Sequence, residues 1–511
     1  MYPERSENLK AMHVSACLLI TLWLGLLASP SSATPFASYD LRVNGAVITV
    51  IPAELRSHRH QDLIVLSRTG TFPQEVRWVS VFWQQEGGRF NPHPDLVWQM
   101  DTEAAVIDVG TLGPQSAGQS IIYLTGSEVR AYHLAGTTQP TPTTLLKIPT
   151  LTVFPEPADL PRLPLIRDWK GTGQPWLGIP QFGQMIFYPI TQAGLQGPGE
   201  AVKIVQPTLL FGAEAEHRLI RDYALQLIYR LPQLFIRDFN GDGRADLLAA
   251  WQDHLAVYHQ EPSGRFPQDP TQSFHFNLRT EHERTQRLVY IAPLVEDVDD
   301  NGRADLILTK MTGRLTDRRL VTSVYLNRTG NLPAQPDVHI EHDGFATTLL
   351  AKDVNGDGKR DLLFPLVKIG VRNLIRNLLT DRADVSLEVH FYRDQGTYNR
   401  APDWIRTFSY QIDMSDGVML QGVWPNVEGD FDADGKADLL VAGNDEVAVY
   451  LAAPGTLFAG TTAARIPVKT TPHVIVRELT DSPRTDIVMW YREPSEWQGL
   501  IKILMNTGKG W

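Results

Sequence analysis

The sequence predicts an all-β repeat protein, a β-propeller, and three observations lead to that prediction. A nine-residue Asp-rich phrase recurs four times, and fainter copies extend the series to eight repeats of roughly sixty residues. Each full copy is followed at once by a short apolar run that is typical of a β-strand. The chain ends carry one spare strand-like segment and one incomplete repeat, which together would close a ring.

The repeats set the predicted number of blades. The full phrase, Asp-Phe-Asn-Gly-Asp-Gly-Arg-Ala-Asp in its first copy, occupies 238–246, 297–305, 353–361 and 430–438. Fainter copies lie at 62–66, 106–124, 168–176 and 478–486. Loop, strand, turn, strand and strand follow one another in each repeat, as in four-stranded propeller blades. The count predicts eight blades, with seven as the alternative because the first two copies are faint. An open solenoid is the less favoured architecture.

The ends and two insertions complete the predicted organisation. The segment Tyr39–Val43 precedes the first repeat near Ala46, and the last repeat stops one strand short after Leu500–Met505. We expect these two segments to complete one shared blade and remove the free edges of the ring. Extra sequence lies around 209–230, and the apolar spacing within 371–379 predicts a short amphipathic helix on a blade loop.

The first 33 residues predict a cleaved signal peptide. Arg5 and Lys10 precede an apolar run from Val14 to Leu27, and small residues follow at the cleavage positions. We therefore expect an exported protein, periplasmic or extracellular, with one propeller domain over 34–511. Cys17 is the only cysteine, so the mature chain would contain no disulfide. No later segment is apolar enough to cross a membrane.

Composition excludes one class of partner. The formal net charge of the 511-residue chain is -11, whereas a nucleic-acid-binding protein needs a basic face. No nucleic acid is therefore expected as a partner. A carboxylate excess is compatible with cation sites instead, and the Asp-rich phrases supply much of it.

The Asp-rich phrases have the donors that calcium prefers. Calcium takes six to eight oxygen ligands, and a tight loop can supply side chains from its positions 1, 3, 5 and 9 and a backbone carbonyl from position 7. Glycines in the phrase allow the positive φ angles that turn these oxygens inward. About four calcium ions are predicted, with the following ligand residues: Asp238, Asn240, Asp242, Arg244, Asp246, Asp297, Asp299, Asn301, Arg303, Asp305, Asp353, Asn355, Asp357, Lys359, Asp361, Asp430, Asp432, Asp434, Lys436 and Asp438.

The position after the loop separates this motif from an EF-hand. An EF-hand needs a bidentate Glu at position 12 between two helices. Position 12 is occupied here by Ala249, Leu308, Phe364 and Val441, each within a β-type run. The four phrases resemble the FG-GAP/VCBS repeats of integrin-α-type propellers. That resemblance implies calcium bound between two strands of a blade, ions that brace the blades, and partner binding through other loops.

The predicted function is a binding or scaffold module that presents its loops to an unidentified protein or glycan, with structural calcium. The alternative is a polysaccharide lyase or hydrolase with its site at the mouth of the propeller channel, since eight-bladed calcium propellers also resemble some pectin-degrading lyases. The sequence contains no HExxH, GxSxG or phosphate-binding glycine motif, so no catalytic residue is assigned and binding is favoured over catalysis. The pair His339 and His342 is interpreted as surface histidines, as are His58, His60 and His282.

Overall fold

The computed structural model describes a set of ranges that covers all eight repeats. The ranges are 35–56, 60–71, 74–113, 118–134, 136–151, 160–191, 194–195, 197–204, 208–214, 223–285, 289–313, 318–346, 349–368, 380–393, 396–413, 419–492 and 496–511. The predicted signal peptide and the predicted helix at 371–379 lie outside the described residues. Within the described ranges, no helix is long and apolar enough to cross a bilayer.

Eight antiparallel sheets, numbered here as blades in chain order, form the propeller. The strands of the first four blades are as follows: Ala46–Ala53, Asp62–Thr69, Val76–Phe82 and Leu96–Gln99 (blade 1); Val106–Gly110, Ser120–Leu124, Glu128–Tyr132 and Pro142–Lys147 (blade 2); Ile166–Arg167, Trp176–Gln181, Gln184–Thr191 and Glu200–Lys203, with the short Gly194–Leu195 (blade 3); Gln233–Arg237, Asp246–Trp251, His254–Tyr258 and Gln272–His275 (blade 4).

The remaining blades repeat the pattern. Their strands are Tyr290–Glu296, Asp305–Thr312, Arg319–Tyr325 and Val338–Asp343 (blade 5); Phe345–Ala346 with Leu350–Lys352, Asp361–Val367, Arg382–His390 and Trp404–Asp413, with the short Met419–Leu420 (blade 6); Gly422–Asn426, Leu439–Gly443, Glu446–Tyr450 and Ala464–Pro467 (blade 7); Val474–Arg477, Asp486–Trp490, Leu500–Asn506 and Phe36–Arg42 (blade 8). The prediction of eight four-stranded blades is confirmed.

Blade 8 closes the ring with both ends of the chain. The strand Phe36–Arg42 pairs antiparallel with Leu500–Asn506 along its whole length, from the Phe36–Asn506 pair to the Arg42–Leu500 pair. The predicted closure is therefore correct, although the N-terminal strand begins three residues earlier than Tyr39. This pairing gives the strand Leu500–Asn506 a partner on both sides, so that strand has no free edge.

The described residues outside the blades form small elements. Strands Thr208–Glu214 and Tyr223–Tyr229 pair as a hairpin before blade 4, which accounts for the extra sequence noted there. Two further short hairpins and one helical turn complete the described structure: Tyr392–Arg393 with Thr397–Tyr398, Ala452–Ala453 with Leu457–Phe458, and Glu281–Thr285.

Buried apolar side chains fill every interface between neighbouring blades. One hydrophobic cluster or more lies at each of the eight interfaces, including the interface of blade 8 with blade 1. The second strand of a blade is covered on both faces, which explains why Leu306, Ile307 and Leu308 are consecutive apolar residues that are all buried. The blades are therefore held together mainly by apolar burial, and the loops add polar contacts at one edge of each interface.

Candidate metal loops and a neighbouring groove

Each Asp-rich loop joins the first and second strands of its blade. In blade 5 the loop runs from Asp297, next to the end of Tyr290–Glu296, to Asp305, the first residue of the second strand. Position 12 of all four loops falls within a second strand, as at Leu308. The prediction of strand-flanked loops is correct, and an EF-hand is excluded.

The first Asp of each loop shapes the turn. In blade 4, Asp238 accepts the N–H of Gly241 on Oδ1 and the N–H of Gly243 on Oδ2, both at 2.7 Å. Both glycines have a φ of +80°, in the left-handed region that glycine adopts without strain. Asp353 in blade 6 makes the same two bonds to Gly356 and Gly358.

The ninth Asp has a second role, which the sequence analysis did not assign. In blade 5 the buried Asp305 accepts the N–H of Val298 at 2.9 Å and the N–H of Asn327 at 2.6 Å. Its carboxylate thus connects the loop to the backbone just beyond the third strand, which ends at Tyr325. The same pair of backbone bonds is made in blades 4, 6, 7 and 8 by Asp246, Asp361, Asp438 and Asp486. A carboxylate oxygen has more than one lone pair, so these bonds leave room for a cation.

Two loops bring three carboxylates together. Asp297, Asp299 and Asp305 in blade 5 each have an oxygen within 4.8 Å of an oxygen of the other two, and Asp430, Asp432 and Asp438 in blade 7 do the same. These are positions 1, 3 and 9 of the phrase. The Oδ1 atom of Asp299 is buried and has no hydrogen-bond partner. A cation would satisfy this oxygen, so the donor set fits an oxygen-liganded metal such as calcium.

Crowding and burial shift the protonation of these carboxyls. The pKa of Asp305 is raised to about 7, mainly by burial and in part by the neighbouring charges of Asp299 and Asp297, against the lowering effect of its two backbone hydrogen bonds. Burial likewise raises the pKa of Asp438 to about 6, with Asp432 and Asp430 adding to the shift. A bound divalent cation would oppose both causes by favouring the charged form.

The loops of blades 4 and 6 carry Asn at the third position. Asn240 accepts the N–H of Asp242 at 2.9 Å and donates to the carboxylate of the same Asp at 2.9 Å. Asn355 and Asp357 make the equivalent contacts. Each of these loops therefore offers an amide oxygen where blades 5 and 7 offer a carboxylate, as the sequence indicated.

The fifth and seventh positions interact through their side chains as well. The guanidinium of Arg244 forms an ion pair with the carboxylate of Asp242. The ammonium of Lys436 lies 3.5 Å from the carboxylate of Asp434. The residues at position 7 were predicted to bind through their backbone carbonyls, so the ion pairs made by their side chains were not predicted.

Backbone hydrogen bonds link successive loops across the blade interfaces. The N–H of Ala304 in blade 5 donates to the carbonyl of Asp238 in blade 4 at 2.7 Å, and the N–H of Arg360 in blade 6 donates to the carbonyl of Val298 at 3.0 Å. The N–H of Thr485 in blade 8 donates to the carbonyl of Asp430 in blade 7 at 2.9 Å. The conformation of one loop therefore constrains its neighbour.

A groove opens beside the loops of blades 6 and 7. It has a volume of about 340 Å³, and its wall includes Phe391, Trp404, Asp403, Asn355 and Lys436. A smaller cavity of about 200 Å³ lies between the two loops themselves. Aromatic walls with a few polar groups are typical of ligand-binding pockets. Asn355 and Lys436 belong to the Asp-rich loops, so the groove and the candidate metal sites share residues.

One histidine prediction was wrong. His282 and His339 are exposed, as predicted, but His342 is buried at 6% exposure. It belongs to the strand Val338–Asp343, whose side chains alternate between buried and exposed. The alternation of Val338, Ile340 and His342 already places this histidine on the apolar face. His58 lies outside the described residues.

Comparisons with known proteins add little beyond the fold. No family model and no curated protein matches the chain. A lectin of Agrocybe aegerita, whose structure shows specific recognition of non-reducing terminal N-acetylglucosamine, aligns at 13% identity and a TM-score of 0.38, over 73% of this chain and 94% of the lectin. Hsv2 of Kluyveromyces marxianus aligns at 10% identity and a TM-score of 0.30, over 76% of this chain and 90% of Hsv2. The similarity is too low to transfer a ligand, so the class of this protein, an eight-bladed β-propeller, rests on its own strand pairing.

Proposed function

We propose that this protein is an exported binding or scaffold propeller whose Asp-rich loops hold about four structural calcium ions. The observation that carries the proposal is the meeting of Asp297, Asp299 and Asp305, together with the unpartnered buried oxygen of Asp299. Three carboxylates at this distance repel one another, and a divalent cation would convert that repulsion into attraction. The resemblance to FG-GAP/VCBS repeats and the predicted signal peptide support calcium and export.

The position of the loops favours a bracing role for the ions. Ala304 of one loop bonds to Asp238 of the previous one, so a filled loop would also fix its neighbour. Asp305 bonds to the backbone on both sides of its hairpin, so an ion held by it would also stiffen the first three strands of the blade. We therefore assign the calcium ions a stabilising role and assign partner binding to a neighbouring groove.

We assign partner binding to the groove between blades 6 and 7. The half-buried ring of Trp404 lies beside Asp403 and Lys436, a combination of apolar and hydrogen-bonding groups that suits a glycan or a short protein segment. Because Lys436 belongs to a candidate calcium loop, partner binding at this groove should depend on calcium.

The first experiment measures calcium content and melting temperature of the mature protein before and after chelation. A site filled at a hundred times its dissociation constant stabilises the folded state by about 2.7 kcal/mol, so removal of several ions should lower the melting temperature clearly. About four ions per chain are expected. A protein that holds no calcium and melts at the same temperature in chelator would contradict the calcium proposal.

A second experiment tests the groove. The mature protein would be applied to an array of glycans with and without calcium, together with the variants Trp404→Ala and Ile405→Ala. Ile405 is the matched control because it is the next residue of the same strand and is 49% exposed. Calcium-dependent binding that is lost only in the Trp404 variant would support the groove. Equal binding by both variants would exclude it, and release of unsaturated products from pectin-type polysaccharide would favour the lyase alternative.

A further inference from the structure

A second cluster of metal-ligating side chains lies at the interface of blades 5 and 6, on strands and not within the Asp-rich loops. His342 comes from the outer strand of blade 5, and Glu388 and His390 come from the third strand of blade 6. Glu388 and His390 are two residues apart, so they lie on the same face of their strand. All three side chains are buried, with exposures of 6%, 5% and 0%.

The hydrogen bonds of the cluster set the histidine tautomers. His390 Nδ1 lies 2.8 Å from the carbonyl oxygen of Asn399, which can only accept, so Nδ1 carries the proton of the neutral ring. His342 Nδ1 lies 2.9 Å from Oε2 of Glu388 and donates to it in the same way. The Nε2 atom of His390 then presents a lone pair, and a hydrogen bond at the other ring nitrogen is the usual arrangement of a metal-binding histidine. At His342 a metal would instead replace the proton between Nδ1 and Oε2 of Glu388, and the ring would carry its proton on Nε2.

Neither Nε2 atom has a partner. Both are buried, and no hydrogen-bonding atom reaches either of them. The ring of Phe364 packs against both imidazoles, with centroids 4.4 Å from His342 and 5.4 Å from His390, so the surroundings are apolar. Buried polar atoms are normally satisfied, so the unsatisfied Nε2 of His390, in the same cluster as the His342–Glu388 pair, indicates a missing ligand.

We propose that His342, Glu388 and His390 form a binding site for a divalent transition metal, of which Zn²⁺ is the best match. A ligand atom of each residue lies within 4.8 Å of a ligand atom of the other two. Tetrahedral zinc with bonds near 2.0–2.1 Å needs ligand atoms roughly 3.3 Å apart, which is close to the 2.9 Å between Nδ1 of His342 and Oε2 of Glu388. Two imidazoles and one carboxylate suit zinc, whereas calcium requires oxygen ligands, so this site and the Asp-rich loops would select different metals.

The charges around the site are compatible with the proposal. The ammonium of Lys368 lies 3.6 Å from Oε1 of Glu388 and is half-exposed, so it can balance the carboxylate without occupying the imidazole side of the cluster. Three protein ligands leave one coordination position for a water molecule or an external ligand. The site would join blade 5 to blade 6 by coordination bonds.

A second histidine cluster is a weaker candidate and serves as a control. Asp253, His254 and His275 in blade 4 also have ligand atoms within 4.8 Å. The guanidinium of Arg279 already binds the Asp253 carboxylate at 3.1 and 3.4 Å. The two imidazoles are stacked with centroids 4.1 Å apart and are partly exposed. The buried Nδ1 of His254 lies 3.0 Å from the carboxylate of Asp253, which Arg279 already neutralises.

The test is zinc binding by the full mature protein. The protein would be stripped of metal, returned to saturating calcium so that the Asp-rich loops are filled, and titrated with Zn²⁺ against a chromogenic chelator. Variants His342→Gln and His390→Gln would be compared with His339→Gln, which changes an exposed histidine of the same strand as His342. We expect one tight zinc site, an affinity at least a hundredfold lower in the first two variants, and no change in His339→Gln.

Two measurements keep the test decisive if the variants of buried histidines fail to fold. Cobalt substitution of the wild-type protein should give the strong visible absorption of a tetrahedral complex, which oxygen-liganded calcium loops cannot give. His275→Gln should leave zinc binding intact. Absence of tight zinc binding and of the cobalt spectrum in the wild-type protein would overturn the proposal, and so would loss of the site in His275→Gln.

Discussion

The loops of blades 5 and 8 share one architecture but differ in the residues that could bind a metal. Both end in a buried Asp, Asp305 or Asp486, that accepts one backbone N–H from the loop and one from an Asn near the end of the third strand. Blade 5 adds Asp297 and Asp299, whereas blade 8 has Glu478 and Thr480 at these positions. The loop therefore folds in blade 8 without the carboxylate cluster.

The side chain of that asparagine, which lies near the end of the third strand, extends the same comparison. Asn327 in blade 5 donates its side-chain amide to the carbonyl of Phe239 in blade 4 at 2.6 Å. Asn506 in blade 8 donates to the carbonyl of Phe431 in blade 7 at 2.8 Å. The ninth Asp and this Asn thus form a connection between strands and between blades that is independent of any metal. The first, third and fifth positions are the ones that distinguish a candidate calcium loop from a plain one.

The largest expected effect comes from removing the ninth Asp of the blade 8 loop, which lacks the carboxylate cluster. Asp486→Ala leaves two buried backbone N–H groups without acceptors, which should lower the free energy of unfolding by about 2–5 kcal/mol. Urea unfolding with calcium and with chelator should show the same loss, because this loop lacks the ligands. Asp481→Ala, in the same loop but exposed, is the control and should be near neutral. A loss that appears only with calcium would show that blade 8 also binds the ion.

The second prediction separates the contribution of the metal to stability from that of the hydrogen bonds of Asp305 in blade 5. Asp299→Ala removes a proposed ligand at position 3 but none of the bonds of Asp305. It should remove up to about 2.7 kcal/mol of stability in calcium at a hundred times the dissociation constant. In chelator it should cause no loss, and relief of the repulsion with Asp305 should stabilise the protein slightly. Differential unfolding with and without calcium measures this effect. Thr480→Ala, at the same position in blade 8, should leave the calcium dependence unchanged, and an equal effect in both variants would refute the assignment.

The third prediction concerns pH in the absence of calcium. The pKa values of Asp305 (about 7) and Asp438 (about 6) exceed the ordinary value of 3.8 for an Asp carboxyl, so at a pH between 3.8 and the raised pKa the folded state binds more protons than the unfolded state. Stability of the chelated protein should therefore rise as pH falls from 7.5 to 5.5, by about 2 kcal/mol for Asp305 and about 1 kcal/mol for Asp438. Bound calcium lowers these pKa values, so the rise should shrink in calcium.

A control is available for the pH dependence. Burial also raises the pKa of Asp486 to about 6, but its loop carries no carboxylate cluster, so its contribution should be present with and without calcium. Urea titrations at the two pH values, each with calcium and with chelator, measure the difference. An identical pH dependence in calcium and chelator would mean that no ion interacts with Asp305 or Asp438.

Those parts of the fold that depend on a local sequence pattern could be predicted from the sequence alone. The Asp-rich phrase and the apolar run behind it lie within one hairpin, so the start of each second strand at Asp305 or Asp361 could be predicted. Ring closure could also be predicted, because a spare strand at Tyr39–Val43 and a missing strand after Leu500–Met505 are complementary features of the two ends. The double role of the ninth Asp was visible only once blade 8 showed the same bonds without the ligands.

The buried histidine cluster could not be predicted in full, because its members meet across a blade interface. His342 and Glu388 are separated by 46 residues in sequence and come from different sheets. Strand periodicity places His342 on the apolar face, but it does not identify the residues opposite. Long-range packing between blades determines that contact, and a single sequence carries no signal for it.

The smallest expected effect tests whether ligand position, and not charge alone, controls calcium binding. Asp434→Ala removes the fifth-position carboxylate of blade 7, where Asp430, Asp432 and Asp438 remain, so the loss of stability should be about 1 kcal/mol. Calcium content should fall from about four ions to about three at moderate calcium, because only one loop is weakened.

Asp300→Asn removes an exposed carboxylate from the fourth position of the blade 5 loop, where Asn tolerates the positive φ of 58°. It lowers the negative charge by the same amount without touching a ligand position, so its calcium content should be unchanged. An equal loss of calcium in both variants would mean that the loops attract the ion through net charge, and an unchanged content in Asp434→Ala would remove the fifth position from the ligand set.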